Sequence, residues 1–220
     1  MSSPQPYDAV LFDLDGTLID SAPGIIDSLE ETFRHFGWAV PPRSELMHYI
    51  GPPLIDSFRR RLGLDEEDAW ETLRVYRQDY RRDGAFDAAI FPGIVGVLDQ
   101  LSSAGVPLAV ATSKPESQAI RILDHLNLSK YFAVISGATE DETRSTKADI
   151  VGHALIGLRN AGHSTDRAIL VGDRVYDVEG AAAQGIPAVI VEWGYGSPTE
   201  AVDAVATVYS ADQLRTFLLN

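Results

Sequence analysis

Ala9-Val10-Leu11-Phe12 is an unbroken apolar run that stops at an acidic turn, Asp13-Leu14-Asp15-Gly16. That pattern predicts a strand buried on both faces of a parallel sheet. Comparable runs recur at Pro107-Leu108-Ala109-Val110-Ala111, Phe132-Ala133-Val134-Ile135, Ala168-Ile169-Leu170-Val171 and Ala188-Val189-Ile190-Val191. Helical stretches separate them, at 93–104, 115–126, 147–160 and 177–184, and Gly105, Gly162 and Gly185 follow three of these as C-terminal caps. Strand and helix in alternation predict an α/β fold, a Rossmann-like parallel sheet covered on both faces.

Residues 21 to 84 break that rhythm. Ile25, Ile26, Leu29, Phe33 and Phe36 sit at helical spacing, and 65–82 reads as one long helix, with no strand run between. An all-helical domain inserted after the first strand follows: a core at 1–18 and 88–220, and a cap at 19–87. No repeats or low-complexity segments interrupt either part.

Composition narrows the function. The 220 residues are 45% hydrophobic and 23% charged, without an 18-residue apolar run, so no transmembrane helix is expected. Met1-Ser2-Ser3-Pro4-Gln5-Pro6 lacks the basic and apolar segments of a secretion signal, and the chain has no cysteine. The first argues against secretion; the second suits a reducing cytoplasm and excludes a catalytic thiol or thiolate zinc site. A formal net charge of −14 disfavours nucleic-acid polymers as partners. It also repels a phosphorylated substrate, so any phosphate site must be locally positive, through a metal, a helix N-terminus or placed cations. Lysines are few: Lys114, Lys130 and Lys147.

Ligands of open parallel sheets bind at the carboxyl ends of the strands. Asp13 and Asp15 follow the first strand, Thr112-Ser113 the second, and Asp173 and Asp177 the fourth, while Lys147 opens the helix after the third. Four carboxylates at one edge would repel one another unless compensated, and acidic oxygen clusters are what Mg²⁺ binds. Lys147 and the backbone N–H groups near Gly16 would offset the charge of a transferring phosphoryl group. Asp13, rigidly aimed at a strand end, suits a nucleophile; Asp15, in the turn, suits a general acid/base.

The segment Asp13-Leu14-Asp15-Gly16-Thr17-Leu18-Ile19-Asp20-Ser21 resembles the first motif of haloacid dehalogenase-superfamily phosphatases. Ala111-Thr112-Ser113-Lys114-Pro115 resembles the second, Lys147 the third and Gly172-Asp173-Arg174-Val175-Tyr176-Asp177 the fourth, in the family's order. The resemblance implies Asp13 as nucleophile and Asp15 as acid/base, with Thr112 and Lys147 holding phosphate and Gly16 and Ser113 beside them. It further implies Mg²⁺ on the Asp13 carboxylate, the Asp15 backbone carbonyl and Asp173, with Asp177 as a ligand or an anchor behind the ligands. The inserted cap, with Gly51-Pro52-Pro53, Phe91-Pro92-Gly93, Arg144-Ser145-Thr146-Lys147 and Trp193-Gly194-Tyr195-Gly196-Ser197, fits the phosphoglycolate phosphatase and 5′-nucleotidase branch. A magnesium-dependent phosphomonoesterase acting on a small phosphorylated metabolite, as monomer or homodimer, is therefore expected. Its cap would close over the leaving group to exclude water.

Plainer readings stand beside these. Thr112 and Ser113 could cap the following helix, and Asp177 could be only a helix N-cap. Lys114 is expected to be solvated, and the nine arginines of 17–90 to form solvated helix faces paired with Glu and Asp. Arg144 and Arg174 could steer an anion or serve the surface. The five histidines show no metal-ligand spacing. A phosphomutase or phosphonate hydrolase would resemble the fold but use a cap lysine, and none lies in residues 1–113. The acid/base at Asp15 disfavours a dehalogenase, the inserted lobe a receiver-type signalling module, and the retained motif residues a mere binding protein.

Overall fold

The computed structural model describes residues 6–220; most of the N-terminal stretch read above for a secretion signal lies outside them. The chain forms two compact units, one comprising the chain up to Ile19 together with Ile90–Asn220, the other Asp20–Ala89.

The first unit is built on β1 (Ala9–Phe12), β4 (Leu108–Pro115), β5 (Phe132–Ala138), β6 (Ala168–Gly172), β7 (Ala188–Val191) and β8 (Ala206–Val208). They form one sheet in the order β5-β4-β1-β6-β7-β8, every neighbouring pair parallel. The chain fills one side of β1 with β4 and β5 and the other with β6 to β8, so the strand order reverses at β1 and opens a crevice at its carboxyl end. Helices α5 (Ile94–Ser103), α6 (Glu116–His125), α7 (Lys147–Asn160), α8 (Val175–Ala183) and α9 (Ala211–Leu219) connect the strands. Leu11, Ala111, Leu170 and Ile190 of the sheet pack with Ile150, Leu155 and Leu158 of α7 and with Val178 and Ala181 of α8. Burial of all four β1 residues on both faces explains why that strand reads as a continuous apolar run. Gly105, Gly162 and Gly185 have positive φ after α5, α7 and α8, as C-terminal capping requires.

The second unit is helical: α1 (Ala22–His35), α2 (Arg43–Leu46), α3 (Leu54–Leu62) and α4 (Glu66–Arg82). Asp65 caps α4 by accepting the Asp68 N–H at 2.9 Å. Its core gathers Ile25, Leu29, Phe33, Tyr49, Phe58, Leu73 and Tyr76. Two-residue strands, β2 (Ile19–Asp20) and β3 (Ala89–Ile90), pair where the chain passes between units.

Two expectations are corrected. The strand taken to end at Ala111 runs on to Pro115, because the register with β5 shifts between Thr112 and Pro115 and the strand bulges there. Pro115 then occupies the N-cap position of α6 without a side-chain cap, so neither Thr112 nor Ser113 caps that helix. A sixth sheet strand, β8, also exists; Ala206-Thr207-Val208 at the sheet edge is too short and too little apolar to announce itself.

Candidate active site

β1, β4 and β6 deliver their C-terminal residues to the crevice. Asp13 follows β1 directly, its N–H bonded to the Val171 carbonyl of β6 at 2.8 Å. The turn that continues from it is tight: Gly16 has φ +83°, and a Cβ there would lie 2.3 Å from Asp173 Oδ2. Only glycine both accepts that φ and leaves room for the carboxylate. Asp173 follows β6, and Asp177 sits in the first turn of α8, where its Oδ2 accepts the Arg174 N–H at 3.0 Å. Asp177 is thus not an N-cap residue; its carboxylate ties the strand-to-helix turn together.

Asp13, Asp173 and Asp177 are all buried, and one carboxylate oxygen from each lies within 4.8 Å of the others. Lys147, the first residue of α7, enters this cluster. Its Nζ stands 2.9 Å from Asp13 Oδ1 and 2.8 Å from Asp177 Oδ1, and donates to the Ala111 carbonyl at 3.1 Å. Thr146 caps α7 by accepting the Asp149 N–H, which fixes the helix end that carries the lysine. Burial alone would lower the Lys147 pKa, but the Asp13 and Asp177 carboxylates outweigh it and hold the ammonium charged.

Among the described residues no ammonium touches Asp173, and the neighbouring Arg174 charge only partly offsets its burial. Its oxygens take the Tyr195 N–H at 2.7 Å and the Thr17 hydroxyl at 3.4 Å. Burial, then the charges of Asp177 and Asp13, push its pKa well above the ordinary carboxylate value. Burial also drives Asp177 up to about 6, although Lys147 pulls the other way. Three buried carboxylates thus share one ammonium, which makes ionising all three unfavourable, and the donors are all oxygens. Both properties fit a hard divalent cation such as Mg²⁺.

Asp15 stands apart. Its carboxylate is not among the three that converge; its Oδ2 lies 3.1 Å from the Nζ of Lys114. The expected solvation of Lys114 is thus overturned: its side chain is only 5% exposed. The bulge of β4 turns that side chain into the crevice instead of leaving it at the surface. Thr112 is buried on the same strand, its Oγ1 accepting the Lys114 N–H at 3.3 Å, and Ser113 is half-buried beside it.

Other residues reach the site without having been singled out for it. Trp193 donates its indole N–H to the Thr17 carbonyl at 3.1 Å, and the Tyr195 N–H holds Asp173, so the segment after β7 braces both acidic loops. Its only sequence signal was the Trp-Gly-Tyr-Gly composition. Arg144 pairs with Glu116 at 2.7 Å and Arg174 with Glu200 at 2.9 Å, and the Arg174 charge also acts on Asp173.

Residues 10–191 match the family described as haloacid dehalogenase-like hydrolase. The chain is 44% identical over 216 residues to the tyrosine-protein kinase PtkA of Mycobacterium tuberculosis, covering 95% of this chain and 72% of that one. It is 36% identical to a 5′-nucleotidase of Pseudomonas aeruginosa, with 94% and 92% covered. It is 33% identical to a phosphoglycolate phosphatase of Agrobacterium fabrum, with 84% and 80% covered. Among solved structures, a predicted phosphatase from Clostridium acetobutylicum superposes with a TM-score of 0.90 at 38% identity, covering 96% of this chain and 97% of that one.

Proposed function

The chain belongs to the haloacid dehalogenase-like hydrolase family and is a phosphoric monoester hydrolase, and from that premise we propose that it cleaves a small phosphorylated metabolite, such as 2-phosphoglycolate, with Mg²⁺ and through an aspartyl-phosphate on Asp13. The convergence of Asp13, Asp173 and Asp177, with Lys147 paired to Asp13 and Asp177, carries this reading.

An Asp13 carboxylate oxygen attacks phosphorus while the bond to the ester oxygen breaks, and Asp15 gives that oxygen its proton. Water then attacks the acyl phosphate, Asp15 takes the water's proton, and inorganic phosphate leaves with the Asp13 carboxylate restored. Lys147 and Thr112, with Gly16 and Ser113 near them, hold the phosphoryl oxygens. Asp13, Asp173 and the Asp15 carbonyl would hold Mg²⁺, with Asp177 anchoring Lys147. The ion would neutralise phosphoryl charge that this acidic protein otherwise repels.

The helical insertion is the segment we assign to leaving-group choice. A nucleoside monophosphate is the second substrate class, favoured by the relative named as a 5′-nucleotidase. A cysteine-free chain suits the reducing cytoplasm. The test is a screen of phosphorylated metabolites with Mg²⁺ against wild type and Asp13→Asn. We expect a small monoester to give the highest kcat/KM and the variant to lose turnover altogether. Preference for a phosphoprotein rejects the substrate class, and near-wild-type turnover by Asp13→Asn rejects the covalent route.

A further inference from the structure

Of the three lysines of this chain the proposed reaction uses Lys147 alone, and of the other two Lys114 is the buried one. Lys114 lies in a bulge where Thr112 pairs with Gly137 and Pro115 with the next residue, Ala138, so that Ser113 and Lys114 have no counterpart on β5. Such bulges re-aim side chains next to functional sites. Gly137 permits this one: a Cβ there would lie 2.6 Å from the Lys114 carbonyl and 2.6 Å from the backbone of Glu116. Any larger residue would push the bulge away from β5. The result is a lysine with 5% of its side chain exposed, paired at 3.1 Å with an aspartate that is itself only 13% exposed.

Three of the four acidic residues of the crevice are thus divided between two ammonium groups. Lys147 takes Asp13 and Asp177. Lys114 takes Asp15, whose carboxylate stays outside the cluster formed by the other three. An acid/base that drifted toward the metal-binding carboxylates would lose its aim at the leaving oxygen, and a displacement of about 1 Å can cost on the order of a hundredfold in rate.

We propose that Lys114 is a positioning residue, whose ammonium, delivered by the β4 bulge, holds the Asp15 carboxylate apart from Asp13, Asp173 and Asp177 and aimed for proton transfer. The proposal rests on the acid/base role given to Asp15 above. It acts through Asp15 and assigns Lys114 no contact with substrate.

The test is a double-mutant cycle on the full-length protein with p-nitrophenyl phosphate and Mg²⁺, using Lys114→Met, Asp15→Asn and the pair, each checked for folding by thermal melting. Lys114→Met should lower kcat by about ten- to a hundredfold at unchanged KM, and the same substitution should change nothing further in the Asp15→Asn background. Lys114→Arg keeps the charge should the methionine variant not fold, and should hold kcat within about tenfold of wild type at unchanged KM. A raised KM with intact kcat in either variant overturns the proposal in favour of a substrate ligand. An equal loss in both backgrounds, or melting that shifts while kcat does not, overturns it as well. Wild-type turnover in Asp15→Asn instead rejects the acid/base assignment itself, an outcome distinct from Asp15→Asn being slow while Lys114→Met is not.

Discussion

In the helical unit, Arg34 meets Glu30 and Glu31, Arg43 meets Asp27 and Glu30, and Arg82 meets Asp79 and Asp83, with the arginine side chains 51–67% exposed. In the α/β unit the ratio is similar but the setting is reversed: Lys147 serves Asp13 and Asp177 with all three side chains at most 7% exposed. Water and salt screen the first set, which keeps a helical surface soluble at little gain. In the second set burial leaves little screening, so each residue depends on the others and the site holds unfavourable energy that a bound cation would relieve. Location, more than the number of ion pairs, separates a functional cluster from a decorated surface.

The largest stability effect expected of this difference is the loss of Lys147. Its removal leaves Asp13 and Asp177 buried without their cation, so Lys147→Met should cost about 3 kcal/mol even in chelator, where no substrate or metal contributes. Chemical denaturation measures it. A loss below about 1 kcal/mol would mean that the buried set behaves like the surface set.

A smaller effect of opposite sign should come from the carboxylate that has no lysine. Asp13 is not that carboxylate, because neutralising it would remove its attraction to Lys147 along with the repulsion. Asp173 receives only neutral donors, a backbone N–H and a hydroxyl, so Asp173→Asn is the variant that should melt higher than wild type in chelator, by a few degrees. Wild type should also gain about 2.7 kcal/mol at a hundredfold excess of Mg²⁺ over its Kd, and Asp173→Asn much less. A differential-scanning titration with magnesium, against a monovalent salt control, decides it. No magnesium-dependent shift in wild type would remove the metal site.

The same cluster predicts a pH dependence. With Asp177 raised to about 6 from 3.8 and Asp173 raised well above 3.8, the native protein holds protons that the unfolded chain has already released. Stability in chelator should therefore fall as pH rises from about 5 through 6, and then level for the Asp177 contribution. Carboxylates held low by arginines or N–H groups, such as Asp8 and Glu200, remain ionised in both states across that window. Saturating Mg²⁺ favours the ionised carboxylates and should flatten the slope. A slope of the same size with and without magnesium would assign it to groups outside the cluster.

How much of this was legible in the sequence follows from the physics of each part. Five strands were readable because burial on both faces demands an apolar run, and α1 and α4 because Ile25, Leu29 and Phe33, and the Asp65 cap, leave local signals. Asp13, Asp173, Asp177 and Lys147 could be gathered at one sheet edge from strand ends alone. What could not be read depends on register and close approach. Nothing local announces that β4 runs on to Pro115 with a bulge, so Lys114 looked like a surface lysine beside a proline. The brace from Trp193 to Thr17 spans 176 positions, beyond any periodicity. The split of the carboxylates into a trio and a separate Asp15 is likewise a matter of side-chain direction.

The smallest effect expected is the absence of one, at the surface end of the comparison. Arg74 of α4 makes a two-pronged contact with Glu71, Nε to Oε2 at 2.8 Å and Nη2 to Oε1 at 2.5 Å, three residues apart on one helical turn. Judged by distances alone this pair looks at least as strong as Lys147 with Asp13. The side chains are 62% and 48% exposed, however, so water competes for every donor, and fixing two long side chains offsets most of the attraction. Alanine is also at least as good a helix former as arginine, which favours the variant slightly. Arg74→Ala should therefore melt within about one degree of wild type, with any small difference vanishing in high salt. A loss approaching that of Lys147→Met, persisting in salt, would show that contact geometry outweighs burial in this protein and would reverse the ordering of the two units.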